Sequence, residues 1–221
     1  MVLLIPKPDN VATYDYYDTA TGYAVKRYYL CNLSGAALDQ GAYTLTDWPS
    51  YSTFATLMGY TSSTGADFFL HNKTFEMRIN RPMKVEGEIR IGCTTASRNE
   101  GASGVKKTKL MMVFQKSGAT IVTDIVSGTT LQHSITLPTN QSGAKIHGLR
   151  MLCPLTKFKR GEYIKLQVNQ YVTQDEAPTW YGFGCDPAGR GDYGDTTYNL
   201  PSLIRDKPTV FTIDIPFKVE E

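Results

Sequence analysis

Hydrophobic and polar residues alternate with period two along much of this chain, most plainly from Leu149 to Val168. Leu149, Met151, Cys153 and Leu155 fall on one side. Lys159-Arg160-Gly161-Glu162 interrupts, and Ile164, Leu166 and Val168 then alternate with Tyr163, Lys165 and Gln167. This spacing predicts a strand, a tight polar turn and a second strand, joined as a hairpin, with Gly161 free to take the positive φ such turns need. The same alternation runs through Phe75, Met77 and Ile79, through Met83, Val85, Ile89, Ile91 and Cys93, and through Phe211, Ile213, Ile215, Phe217 and Val219. One face of each strand is therefore buried and the other wet.

The breaks in the pattern are equally informative. Gly87 predicts a bulge or bend in its strand, and Pro216, which has no N–H to donate, places the last strand at a sheet edge or a bulge. Tyr23 to Cys31 is the first strand. Asp47-Trp48-Pro49, followed by Tyr51, Phe54, Ala55 and Met58 at helical spacing, predicts one short helix ending at Gly59. Residues 94 to 109 are rich in Ser, Gly, Asn and Lys and read as a loop. Leu110, Met111, Met112, Val113 and Phe114 are apolar at every position, so this strand needs a second cover besides its own core. A neighbouring subunit and an overlying loop are both candidates, and these five residues form the candidate subunit interface.

The longest stretch without periodicity runs from Thr173 to Leu200, and loops beyond about 12–15 residues in a compact domain are commonly functional. Its Trp180, Tyr181 and Phe183 pack the loop onto the sandwich or against a neighbouring subunit, or else stack on sugar rings, and with Arg190 and Asp192 they form the candidate recognition loop. Residues 1–22 read as an N-terminal arm and 23–221 as one domain.

Composition narrows the classes. A hydrophobic fraction of 41% supports a sizeable core, and 23 basic against 21 acidic side chains give a net charge of only +2. That balance predicts no attraction to nucleic acid or an anionic membrane. Apolar Met1 to Pro6 stops at Lys7, short of a secretory signal, and no stretch reaches the roughly 20 apolar residues of a membrane span. The chain is expected to stay in a cytoplasm. Cys31, Cys93, Cys153 and Cys185 are far apart and read as buried thiols. The N-x-S/T triplets at Asn32, Asn72 and Asn140 are then matters of composition.

Eight or more short strands, one brief helix and long end loops predict an all-β, antiparallel two-sheet jelly-roll sandwich. The succession of a Gly-rich loop, K-L-M-M-V-F-Q-K-S-G-A-T and F-K-R-G-E-Y-I-K-L-Q-V resembles the second half of single jelly rolls, over residues 75 to 219. Such units occur in tumour-necrosis-factor and C1q-type domains and in small coat or decoration proteins of viruses and phages. The resemblance implies a non-enzymatic protein that self-assembles, and the missing signal peptide favours a virion component assembled in the host cytoplasm, beside other virion proteins. The alternative is a carbohydrate-binding, lectin-like or trimeric recognition module, with a glycan or host receptor as partner. Many such coats carry an Arg-rich arm. This chain begins net acidic, so direct nucleic-acid binding is not expected.

The sequence holds little catalytic chemistry. Gly189-Arg-Gly191-Asp-Tyr-Gly194 matches G-x-G-x-x-G, but it does not follow a buried strand or open a helix. It contains Arg190-Gly191-Asp192, which resembles an integrin-binding tripeptide. Asp186, Asp192 and Asp195 lack EF-hand spacing, and His71, His133 and His147 lack any paired metal-binding spacing. Gly101-Ala-Ser103-Gly104 falls one residue short of a nucleophile elbow. No cofactor is expected.

Overall fold

The computed structural model describes residues 23–32, 43–47, 55–61, 65–174, 179–185 and 210–218. Twelve strands make up the described chain: β1 (Tyr23–Asn32), β2 (Tyr43–Thr46), β3 (Ala55–Thr61), β4 (Gly65–Arg78), β5 (Met83–Asn99), β6 (Gly104–Ser117), β7 (Val122–Thr129), β8 (His133–Leu137), β9 (Ser142–Phe158), β10 (Tyr163–Gln174), β11 (Thr179–Cys185) and β12 (Phe211–Lys218). The fold is all-β, as the alternation predicts, and no helix occurs among the described residues.

Two runs of strands carry the body. One is β1-β12-β5-β9 and the other is β4-β10-β6-β7, with β8 also on β6 and the β11-β3 pair on the far half of β5. All pairings are antiparallel except a single parallel one, Thr44 of β2 opposite Glu76 of β4, which joins the runs through β1-β2 into one mixed, nearly closed sheet. The expected pair of separate antiparallel sheets is corrected to this extent. The runs face each other across the core. Phe75 of β4 meets Phe211 of β12 edge-on with ring centroids 4.9 Å apart, and Phe114 of β6 meets Phe158 of β9 at 6.4 Å. Each of these four rings is buried, and full burial of such a side chain contributes about 1.5–3 kcal/mol.

Three expectations change. The predicted helix is not formed where it is described: Ala55–Thr61 is a strand paired with β11 along its length, and Trp48, Tyr51 and Phe54 lie outside the described residues. Pairing with a neighbour overrides a local helical spacing of a few residues. The 94–109 loop shrinks, because β5 continues to Asn99 and β6 begins at Gly104. The hairpin around Gly161 is not a hairpin, since β9 pairs with β5 while β10 pairs with β4 and β6. Its turn crosses between the layers. Gly161 has φ 89°, its N–H donates to the Ile79 carbonyl at 2.8 Å, and Ile79 N–H donates to the Glu162 carbonyl at 2.7 Å, tying the crossing to the end of β4.

The predicted irregularities are placed on the strands. Register shifts occur between Val85 and Gly87 in β5 and between Asp214 and Phe217 in β12, so Pro216 sits at a bulge in an interior strand. The bulges adjoin: a Cβ on Gly87 would lie 3.5 Å from the Pro216 ring, and Gly87 has φ 118°. That backbone favours glycine. Gly87→Ala is expected to cost about 1–3 kcal/mol through strain, read as a lower urea midpoint, and an unchanged midpoint would contradict this account of the bulge.

Candidate functional site

Strands β5, β6, β9 and β10 each point one row of side chains inward, and each row changes character part-way along. On β5 the row is Val85, Ile89, Ile91, Cys93 and then Thr95, Ser97, Asn99; on β6 it is Phe114, Met112, Leu110 and then Thr108, Lys106. All of these residues are buried. One end of the interior is thus apolar and the other polar. Buried polar groups need partners, and the polar end supplies several. The Asn99 amide donates to the Ala102 carbonyl at 2.6 Å and the Leu137 carbonyl at 3.1 Å, pinning the β5–β6 turn.

His147 lies at the centre of this end, fully buried, with Nε2 2.8 Å from the Thr95 hydroxyl and Nδ1 3.2 Å from the Thr130 hydroxyl. Its ring packs edge-on against His133, centroids 4.6 Å apart. Burial, and secondarily His133, lowers its pKa from 6.5 to about 4. The neutral ring offers one donor and one acceptor, which suits two hydroxyls. Among the described residues no carboxylate completes this hydroxyl–imidazole–hydroxyl chain, so there it lacks the orienting acid of acyl-transfer triads. Among the described residues no group of three His, Cys, Asp or Glu side chains is placed to hold a metal.

A water-sized cavity of about 10 Å³ is lined by Thr95, Ser97, Thr108 and His133. Ile135, Gly143, Ala144 and Lys145 separate it from an open surface groove of about 580 Å³ between β8 and β9. The pairing of His133 with His147 was not visible in their spacing, because it arises where β8 of one layer packs on β9 of the other.

The candidate recognition residues separate. Thr179–Cys185 is strand β11, with Trp180 opposite Arg98, Tyr181 opposite Ser97 and Phe183 opposite Thr95. Tyr181 is buried, and its hydroxyl donates to Gln174 Oε1 at 2.9 Å, bridging the layers. It presents no face to a sugar. Arg190 and Asp192 lie outside the described residues, as do the side chains of Trp180 and Phe183. Of the candidate interface, Leu110, Met112 and Phe114 enter the core, and Val113 on the other face is covered from within the chain. There Gln115 donates to Asp124 at 2.8 Å and Gln167 at 3.2 Å across the strands flanking β6. Met111 is partly exposed. No sister subunit is needed to bury this strand. Cys31, Cys93 and Cys153 are buried free thiols, and burial pushes the Cys153 thiol up. No helix among the described residues is long and apolar enough to cross a membrane.

A different surface gathers exposed apolar side chains. Register sets the outward residues of β1, β12, β5 and β9 in three rows. The first is Arg27, Asp214, Arg90 and Arg150, with Arg27 bidentate on Asp214 at 2.7 and 2.9 Å and Glu88 between Arg90 and Arg150. The third is Lys218, Lys84 and Lys157, with Lys218 3.4 Å from Glu86. Between them run exposed Val25, buried Pro216, Gly87 and, beside the Gly87 partner Cys153, exposed Leu152, Pro154 and Leu155. Leu152 is 77% exposed and Val25 62%. β9 pairs only with β5 among the described residues.

No family model matches the chain, and no curated protein matches it. Solved structures that align with it include a CocE/NonD family hydrolase from Staphylococcus aureus, at 9% identity over 89% of this chain and 36% of the hydrolase, TM-score 0.48. They also include Eiger TNF from S. frugiperda, at 7% identity over 89% of this chain and 94% of that one, TM-score 0.28. A chain from infectious bursal disease virus, Gx strain, aligns at 9% identity over 89% of this chain and 37% of its own, TM-score 0.32. The chain spans about a third of the length of the hydrolase. The expectation of a non-enzymatic protein is corrected on this finding.

His147 makes stability depend on pH. The unfolded imidazole takes its proton near 6.5 and the folded one only near 4, so the unfolded chain binds more protons in between. Its contribution is complete above 6.5 and is lost as pH falls toward 4, by about 3 kcal/mol at most. Thermal midpoints measured from pH 7 to pH 4 are expected to fall more steeply for the wild type than for His147→Gln, which keeps a donor and an acceptor. Parallel profiles would contradict a buried neutral His147.

Proposed function

We propose that this chain is a jelly-roll subunit of a virus or phage particle that works by assembling with copies of itself. The strand order supports the fold reading. A jelly roll is a double sheet of eight strands built from two Greek keys, and the runs β1-β12-β5-β9 and β4-β10-β6-β7 follow that winding, with later strands inserted between earlier ones. The expected N-terminal arm, residues 1–22, lies outside the described residues.

The observation that carries the assembly reading is the outward apolar band of Val25, Leu152, Pro154 and Leu155 between two charged rows. An apolar centre with a polar, ion-paired rim is the anatomy of a protein interface. Arg27–Asp214 and the Glu88 pairs hold the rim side chains in place, which limits the entropy lost when a partner docks. The band lies on the sheet's own strands, so burying it asks for no rearrangement of the core.

Sedimentation of the purified protein at micromolar concentration is expected to show a multi-copy species. Leu152→Asp places a charge in the band and is expected to weaken association at least about tenfold, with the unfolding midpoint unchanged because the side chain is exposed. A strictly monomeric wild type, or a variant that sediments with the wild type, would sink the reading.

A further inference from the structure

The outer face of the second run carries a separate constellation, around Asp67 at the start of β4. Asp67 has φ 52°, a left-handed backbone outside the usual range for a residue with a side chain. Its exposed carboxylate is nonetheless held firmly. Lys109 Nζ lies 2.7 Å from Oδ2, Gln132 Nε2 lies 3.2 Å from Oδ1, and the Thr173 hydroxyl donates to Oδ1 at 3.3 Å. The Asp67 N–H donates in turn to the Thr173 hydroxyl at 2.8 Å. Four segments therefore converge on one carboxylate: β4, β6, β10 and the β7–β8 connection. Backbone strain kept in place by surrounding hydrogen bonds is a mark of functional positions.

Beside it stands an aromatic pair. Phe69 and Tyr171 are register partners whose rings meet edge-on at 5.7 Å, and Lys109 Nζ lies 5.9 Å from the centre of the Tyr171 ring. Phe69 leaves half its surface in water. From Tyr171 the outward row continues to Asn169 and Gln167, the Gln167 amide donating to Asn169 Oδ1 at 3.2 Å. An apolar ring edge, an oriented acceptor, a lysine and amides thus lie within a few residues of one another on a rigid sheet.

We propose that Asp67, Phe69, Lys109 and Tyr171 form a binding site for an uncharged saccharide. Pyranose rings present a C–H face that packs on an aromatic ring and equatorial hydroxyls that need fixed donors and acceptors, and this face offers both. The lysine offsets the carboxylate's charge. Asp67 accepts from sugar hydroxyls through the lone pairs its three partners leave free, and Lys109 donates to them. The backbone strain at Asp67 is accounted for as pre-organisation of that acceptor. The site lies on the opposite outer face from the apolar band, so it stands whether or not copies assemble there.

The test uses the full chain with lactose, cellotetraose and chitotetraose as probes, followed by amide chemical shifts and titration calorimetry. At least one probe is expected to shift resonances of residues 67–72, 107–111 and 169–173, with a dissociation constant of about 0.1–1 mM. Phe69→Ala is expected to weaken binding at least about tenfold by removing the stacking surface. Asp67→Asn, which tolerates the same backbone, is expected to weaken it severalfold by removing the charged acceptor. Both side chains are half exposed, so unchanged thermal midpoints would show that the fold is intact. No response to any probe, shifts confined to other residues, or equal binding by Phe69→Ala would overturn the proposal. Loss of self-association in Phe69→Ala without loss of sugar binding would assign the face to a protein partner instead.

Discussion

Strand β5 is the constraint from which the rest follows. Its seventeen residues are paired with β9 along one edge from Met83 to Arg98, and with β12 and then β11 along the other. A strand bonded on both edges cannot tilt its side chains away from the interior, so whatever the alternation turns inward must be accommodated there. From Val85 to Cys93 that means aliphatic packing against Phe75, Phe211 and their neighbours. From Thr95 to Asn99 it means hydroxyls and an amide, and the interior answers with His147, Thr130, Tyr181 and Gln174. The polar end is the continuation of the core by other means, and it also orders the β5–β6 turn through the Asn99 side chain.

Such an interior exchanges stability for definition. Burial of the apolar row already sets strand register, and a hydrogen-bonded imidazole between two hydroxyls adds a directional constraint to it. The two outer faces inherit that precision. On one, cross-strand register lines up charged rows on either side of an apolar band; on the other, it brings Asp67, Tyr171 and Lys109 from three strands to one spot. Both surfaces are properties of strand alignment, not of loops.

Much of the body was legible from alternation alone. The apolar rows of β4, β5, β9, β10 and β12 stood out because one face is greasy and the other wet, and Gly87, Gly161 and Pro216 marked irregularities that the backbone does contain. Residues 94–109 were misread because inward-facing Thr, Ser, Asn and Lys look like a loop when polarity is equated with exposure. The hairpin was misread because sequence-adjacent strands usually pair, while the turn at Gly161 crosses the core. Ala55 to Met58 kept a helical spacing too short to outweigh pairing with β11. The His133–His147 contact and the Asp67 cluster left no sequence signal, since each is assembled from strands distant along the chain.

Hydrogen exchange along β5 tests the central claim most directly. If the inward row runs unbroken from apolar to polar, the amides of Thr95, Ala96 and Ser97, bonded to neighbours on either side, exchange as slowly as those of Ile89 to Cys93. Exchange at the rate of the exposed Lys159–Arg160 turn would mean that the polar half of β5 is not part of the sheet, and the account of a core with two characters would fail.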